Sequence, residues 1–140
     1  MMIASRLLPR AKTVQQLSAT YNMKTVNFVV VLTSVPSEAL GDEIARALVN
    51  ERLAACVNIG AAMTSVYRWK GTVERDTEHQ LVIKTTVERV GDVERRVKEL
   101  HSYELPEFLV VDVSDGSDAY LNWVREESQA LPGTHEGAKK

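Results

Sequence analysis

The sequence predicts an α+β protein, a ferredoxin-like βαββαβ sandwich with an added C-terminal helix. Three observations lead there. Two stretches carry apolar residues at helical spacing, Leu40, Ile44, Ala47 and Leu48 in one and Val90, Val93, Val97 and Leu100 in the other. Two alternating stretches meet at Lys70-Gly71, where the glycine accepts the positive φ of a tight hairpin turn. Apolar, β-branched runs at 26–33 and 108–113 bracket these elements. The order is therefore β-α-β-β-α-β, in which both helices cover one face of a four-stranded antiparallel sheet.

Composition bounds what such a fold does. A chain of 140 residues is about one domain. It is 44% hydrophobic and 26% charged with a net charge of −2, the balance of a soluble globular protein and not of one that grips nucleic acid or anionic membrane. The single cysteine, Cys56, excludes an internal disulfide and a cysteine zinc cluster. No apolar run approaches the roughly 20 residues that cross a bilayer, so no integral membrane protein is expected.

Residues 1–25 stand apart. Arg6, Arg10, Lys12 and Lys24 face no acid, since the first in the chain is Glu38. This is the composition of an organellar presequence, which predicts a mitochondrial address; translation from Met23 would instead give a cytoplasmic protein. The folded domain is expected over 26–130, with a flexible tail over 131–140.

Within the domain, 26–33 is apolar without interruption and reads as a strand buried on both faces. Ser34-Val-Pro-Ser-Glu38 follows as a helix start, with a serine for the cap and proline in the first turn, and that helix is expected to close near Leu53. A strand over 54–59 relaxes at Gly60–Met63 and resumes from Thr64 to Lys70, with Ser65, Tyr67 and Trp69 on one side. The returning strand, 72–86, puts His79, Leu81, Ile83 and Thr85 on one face and Gln80, Val82 and Lys84 on the other. On the second helix Glu94 pairs with Lys98, and Arg95 with Glu99. Asp118 is read as the cap of the last helix, which carries Tyr120, Leu121, Trp123 and Val124.

The helices cover one face only, yet the first strand is apolar on both. The uncovered face and the long hairpin's unpaired edge both predict a homo-oligomer.

The chemistry concentrates in His101-Ser-Tyr-Glu-Leu-Pro-Glu107, a turn between helix and strand. His101, Glu104 and Glu107 are the candidate ligands of a divalent metal, copper or zinc. As the alternative, a charged His101 would cap the second helix. Tyr67, Trp69, Tyr103 and Lys84 are candidates for a small-molecule cleft, although interface packing accounts for such aromatics equally well. No Gly-x-Ser-x-Gly elbow, phosphate loop or dinucleotide turn occurs, and no acid, base and nucleophile set assembles, so an enzyme is not expected. The strands lack the basic and aromatic signature of an RNA-recognition motif.

Six blocks in order resemble the CutA divalent-cation-tolerance proteins: Val-Val-Val-Leu-Thr-Ser-Val-Pro-Ser-Glu (29–38), Glu-Arg-Leu-Ala-Ala-Cys-Val-Asn (51–58), Ser-Val-Tyr-Arg-Trp-Lys-Gly (65–71), Val-Ile-Lys-Thr-Thr (82–86), His-Ser-Tyr-Glu-Leu-Pro-Glu (101–107) and Tyr-Leu-Asn-Trp-Val (120–124). The resemblance implies a homotrimer whose hairpins cross subunit boundaries, and a role in tolerance to copper and other divalent metals. In that family copper is attributed to a cysteine and a histidine pair; Thr33 and Leu100 stand at the cysteine and first histidine, leaving His101 and carboxylates for a weaker site. The trimer also resembles the PII signalling proteins in architecture, which gives the alternative of a small anionic ligand between Lys84, Tyr67 and Trp69.

Overall fold

Strand β1 (Phe28–Val35) lies inside the sheet of the computed structural model, which describes residues 27–133. The readings of 1–25, of a start at Met23 and of 134–140 fall outside the described residues. Helix α1 (Glu38–Asn50) leads to β2 (Cys56–Trp69), and the hairpin returns as β3 (Thr72–Thr86). A 3-10 turn (Val87–Arg89) opens α2 (Val90–Leu100), followed by β4 (Leu109–Asp112) and α3 (Asp118–Glu127). The strand order is β2-β3-β1-β4, and every neighbouring pair is antiparallel. Each crossover through α1 or α2 therefore steps over one strand of the other unit, interleaving the two halves of the chain.

The core forms where the alternation of strands meets the helical stripes. Val29, Val31 and Val35 of β1 and Leu81 and Ile83 of β3 point the same way, and Ile44 and Leu48 of α1 and Val93 and Val97 of α2 close over them. Both helices thus cover one face, as the periodicity predicts. On the other face α3 covers one end, where Leu121 and Val124 pack on Phe28 and Ala55. Val30 and Leu32 are only half-buried there, and Leu109 and Val111, their partners on β4, are 53% and 48% exposed.

Several boundaries differ from expectation for local reasons. Strand β1 runs through Val35, because Ser34 and Val35 still pair with Gln80 and His79 of β3. Ser37 caps α1 by accepting from the Leu40 N–H (3.2 Å), so Pro36 precedes the cap and is not in the first turn. The helix ends at Asn50 because Arg52 adopts a positive φ of 58°, and the Leu53 and Ala54 N–H groups both turn back to the Leu48 carbonyl. The Arg52 guanidinium then donates to the Glu126 and Gln129 carbonyls, fastening the end of α3 to the end of α1. Ser117, one residue before Asp118, is the cap of α3. On α2, Glu94 pairs with Lys98 as expected, but Arg95 turns back to Asp92 and Glu99 is taken by Arg96.

Candidate functional site

The hairpin turn has the expected form and one further feature. Lys70 shares the left-handed conformation with Gly71, at φ of 48° and 81°, as a two-residue turn with matched twist requires. Strand β2 does not break at Gly60; it continues, with one extra residue between Ile59, which faces Leu81, and Ala62, which faces His79. The His79 Nδ1–H holds this bulge by donating to the Gly60 carbonyl at 2.9 Å. The insertion shifts the side-chain phase, so Ser65, Tyr67 and Trp69 leave the helix-covered side on which Val57 and Ile59 lie and join Glu78 and Ser34 on the other.

There they meet the loop that follows α2. Ser34, Ser65, Tyr67, Trp69 and Glu78 from the strands and Ser102 to Glu107 from the loop enclose a cleft of about 760 Å³. The loop is pinned by His101. Its Nε2–H donates to the Ser34 carbonyl at 2.7 Å, and its Nδ1 accepts from the Tyr103 N–H at 3.0 Å. Both ring nitrogens are committed, and the side chain is buried. His101 stands at the C-cap of α2, as expected, and orders the loop through both ring nitrogens, which are taken by the Ser34 carbonyl and the Tyr103 N–H and not held toward a metal in this arrangement.

Glu78, which the sequence reading missed, is the centre of the cleft. It is 8% exposed, and its Oε2 accepts from the Ser34 hydroxyl and the Tyr103 hydroxyl, each at 3.1 Å. Burial and that hydrogen bond push the Tyr103 phenol up to about 12. The Tyr67 hydroxyl donates to Asp76, which with neighbouring acids holds Tyr67 near 12 as well. Glu107 is half-buried, and its Oε2 is buried without a hydrogen-bond partner. Its carboxyl is raised above the usual range, first by burial and then by the charge on Glu78.

Of the expected metal ligands, Glu107 reaches this cleft with a free oxygen, whereas Glu104 is at its rim, 3.6 Å from Lys70 Nζ. His101, Glu104 and Glu107 do not converge, and among the described residues no three His, Cys, Asp or Glu side chains form a group that could hold a metal. Tyr67, Trp69 and Tyr103 do come together as expected. Lys84 does not join them. It lies opposite Cys56 toward the other end of the hairpin, with Nζ 3.9 Å from Sγ. Among the described residues, no Lys, Arg or His lines the cleft. Counting outward from the Lys70-Gly71 turn would have found Glu78 across from Met63, since pairing in the distal hairpin is fixed by the turn.

The comparisons converge on one group of proteins. The family model described as CutA1 divalent ion tolerance protein matches residues 29–127. A divalent-cation tolerance protein CutA of Thermus thermophilus is 50% identical over 97 residues, which span 69% of this chain and 94% of the relative. A chloroplastic protein CutA of Arabidopsis thaliana is 39% identical over 106 residues, 76% of this chain but 58% of the relative. Among solved structures, the T. thermophilus protein superposes with a TM-score of 0.72 at 47% identity, covering 73% of this chain and 99% of that one. CutA1 from Oryza sativa superposes at 0.73 with 35% identity, covering 76% and 97%.

Proposed function

Because the chain belongs to the CutA1 divalent ion tolerance protein family, we propose that it serves divalent-cation tolerance as a non-enzymatic binding protein, taking cations at the cleft between Glu78 and Glu107. The observation that carries this reading is the charge of the cleft. Carboxylates enter its wall from a strand and from a loop, and among the described residues one of them has a buried oxygen that no donor satisfies and no cationic side chain lines the cleft. An unpaired buried carboxylate oxygen is costly, and a bound cation removes the cost.

The donor set fits a divalent ion by type. Two carboxylates with nearby hydroxyls are hard oxygen ligands, suited to Zn²⁺ or Mn²⁺ more than to a soft copper ion. Thr33, where the resemblance puts a copper-binding cysteine, is fully buried and supplies no thiolate. Copper tolerance would then run through Cu²⁺ on oxygen ligands. Two carboxylates do not complete a coordination shell, and a homotrimer would let a neighbouring subunit or water complete it. The alternative of an anionic ligand loses its support, because Lys84 lies outside the cleft and the walls are acidic. The chloroplastic names of the Arabidopsis and rice relatives support an organellar address for residues 1–22.

Calorimetric titration of the metal-free full chain with Zn²⁺ and Cu²⁺ tests the site. Saturable binding lost in Glu107→Gln and kept in His101→Asn is the expected result. Loss in the His101 variant, with its fold intact by circular dichroism, would return the site to the imidazole. No binding by the unaltered chain would remove the reading.

A further inference from the structure

The cleft is larger and more aromatic than a metal ion requires. Its volume of about 760 Å³ falls in the range of small-molecule pockets. Tyr67, Trp69 and Tyr103 supply π faces and Leu105 and Pro106 apolar surface, none of which is a metal donor. An aromatic face attracts a cation through its quadrupole, most strongly where water is excluded, and an alkyl group packs on the same face.

The chain itself already places an ammonium in this setting. Lys70 Nζ lies 5.5 Å from the centroid of the Trp69 ring and 3.6 Å from Glu104, at the rim of the cleft. Deeper in, Glu78 is nine-tenths buried with both of its hydroxyl donors on Oε2, and the unpartnered Oε2 of Glu107 lies in the same wall. The rim thus displays the recognition chemistry that the interior also offers: aromatic surface beside carboxylate.

We propose that the cleft binds an organic ammonium ion, its carbon body against Trp69, Tyr67 and Tyr103 and its charged nitrogen drawn toward Glu107 and Glu78. The assignment rests on the reading of the cleft as a cation site and narrows the ligand to an amine with an apolar body. Small anions are rejected because the described lining is acidic and Lys70, at the rim, is already paired with Glu104.

Putrescine and tetramethylammonium are the probes, titrated into the metal-free full chain by calorimetry, with acetate and inorganic phosphate as anionic controls and Zn²⁺ in a separate series. The expected result is saturable binding of at least one ammonium probe and of neither anion. That binding weakens about tenfold or more in both Trp69→Ala and Glu107→Gln, the scale of a desolvated cation–π or ionic contact. Trp69 is at the hairpin end, away from the core, so Trp69→Ala tests the contact without unfolding the domain. Zn²⁺ binding that survives Trp69→Ala while ammonium binding is lost would separate the two ligands and support both readings. Zn²⁺ binding without ammonium binding would overturn this inference and leave the metal site standing. Ammonium binding unchanged in both Trp69→Ala and Glu107→Gln would overturn it as well, and failure of every cation would overturn both.

Discussion

Thr33 sits on β1 with its side chain turned into the core beneath α1 and α2, fully buried, and its Oγ1 finds no hydrogen-bond partner. A buried hydroxyl left unpaired costs about 1–3 kcal/mol. Thr33→Val keeps the branched shape and removes the polar atom, so it should raise the melting temperature, and calorimetric unfolding of the two chains checks this. Glu107 carries the opposite kind of penalty. Its folded pKa is raised above the ordinary 4.5, so its proton favours the folded state. That contribution is complete below the unfolded value and is lost as pH rises through the folded one. Glu107→Gln, neutral at every pH, should therefore raise the melting temperature at neutral pH and leave it unchanged well below 4.5. The aromatic cluster was legible because Tyr67 and Trp69 alternate on a strand and Tyr103 lies on the adjoining turn. Glu78 was not, since a glutamate in the charged run Glu74-Arg-Asp-Thr-Glu78 looks solvated until the opposite strand and the loop enclose it. Lys84 was misplaced for the related reason that composition groups residues which register separates.

Helix α1 approaches the sheet closely at Gly41, where a Cβ would stand 3.2 Å from both Leu81 Cδ2 and Val35 Cγ2. Those neighbours are fully buried and cannot swing away. Gly41→Val should cost about 1–3 kcal/mol by overpacking, despite removing a poor helix former, and urea denaturation measures it. The elements were readable wherever one period dominated: β3 falls at 72–86 as its alternation indicates, and α2 ends at Leu100 just before His101. Boundaries set by a single backbone contact were not. The end of α1 depends on Arg52 in the left-handed region, and the unbroken course of β2 depends on a bulge held by His79. Neither leaves a periodic trace.

One face of the sheet carries Val30, Leu32 and Val82 half-buried beside the exposed Leu109 and Val111, and β4 forms an open edge. Apolar surface of this extent on an antiparallel sheet predicts a partner that covers it, and a homotrimer is the one that the family resemblance implies. Light scattering should give about three times the protomer mass of 15.6 kDa, and Leu109→Glu together with Val111→Glu should shift it to the monomer. A monomeric unaltered chain would leave that face to another partner. The fold-level oligomer expectation came from the uninterrupted apolar run of β1, whereas the part of that face sheltered by α3 could not be read from the same run. The extra residue in β2 has a last consequence, for descent with modification. Loss of one residue at 60–61 would remove the bulge and leave a regular ladder, in which the proximal pairs from Cys56 to Ile59 and the distal pairs set by the Lys70-Gly71 turn are both kept. Tyr67 and Trp69 would then still face Glu74 and Thr72 and stay on the cleft side, because the count outward from the turn fixes them. A descendant of this chain can therefore lose the extra residue of β2 without moving the cleft, and what it gives up is the hold of His79 on the Gly60 carbonyl.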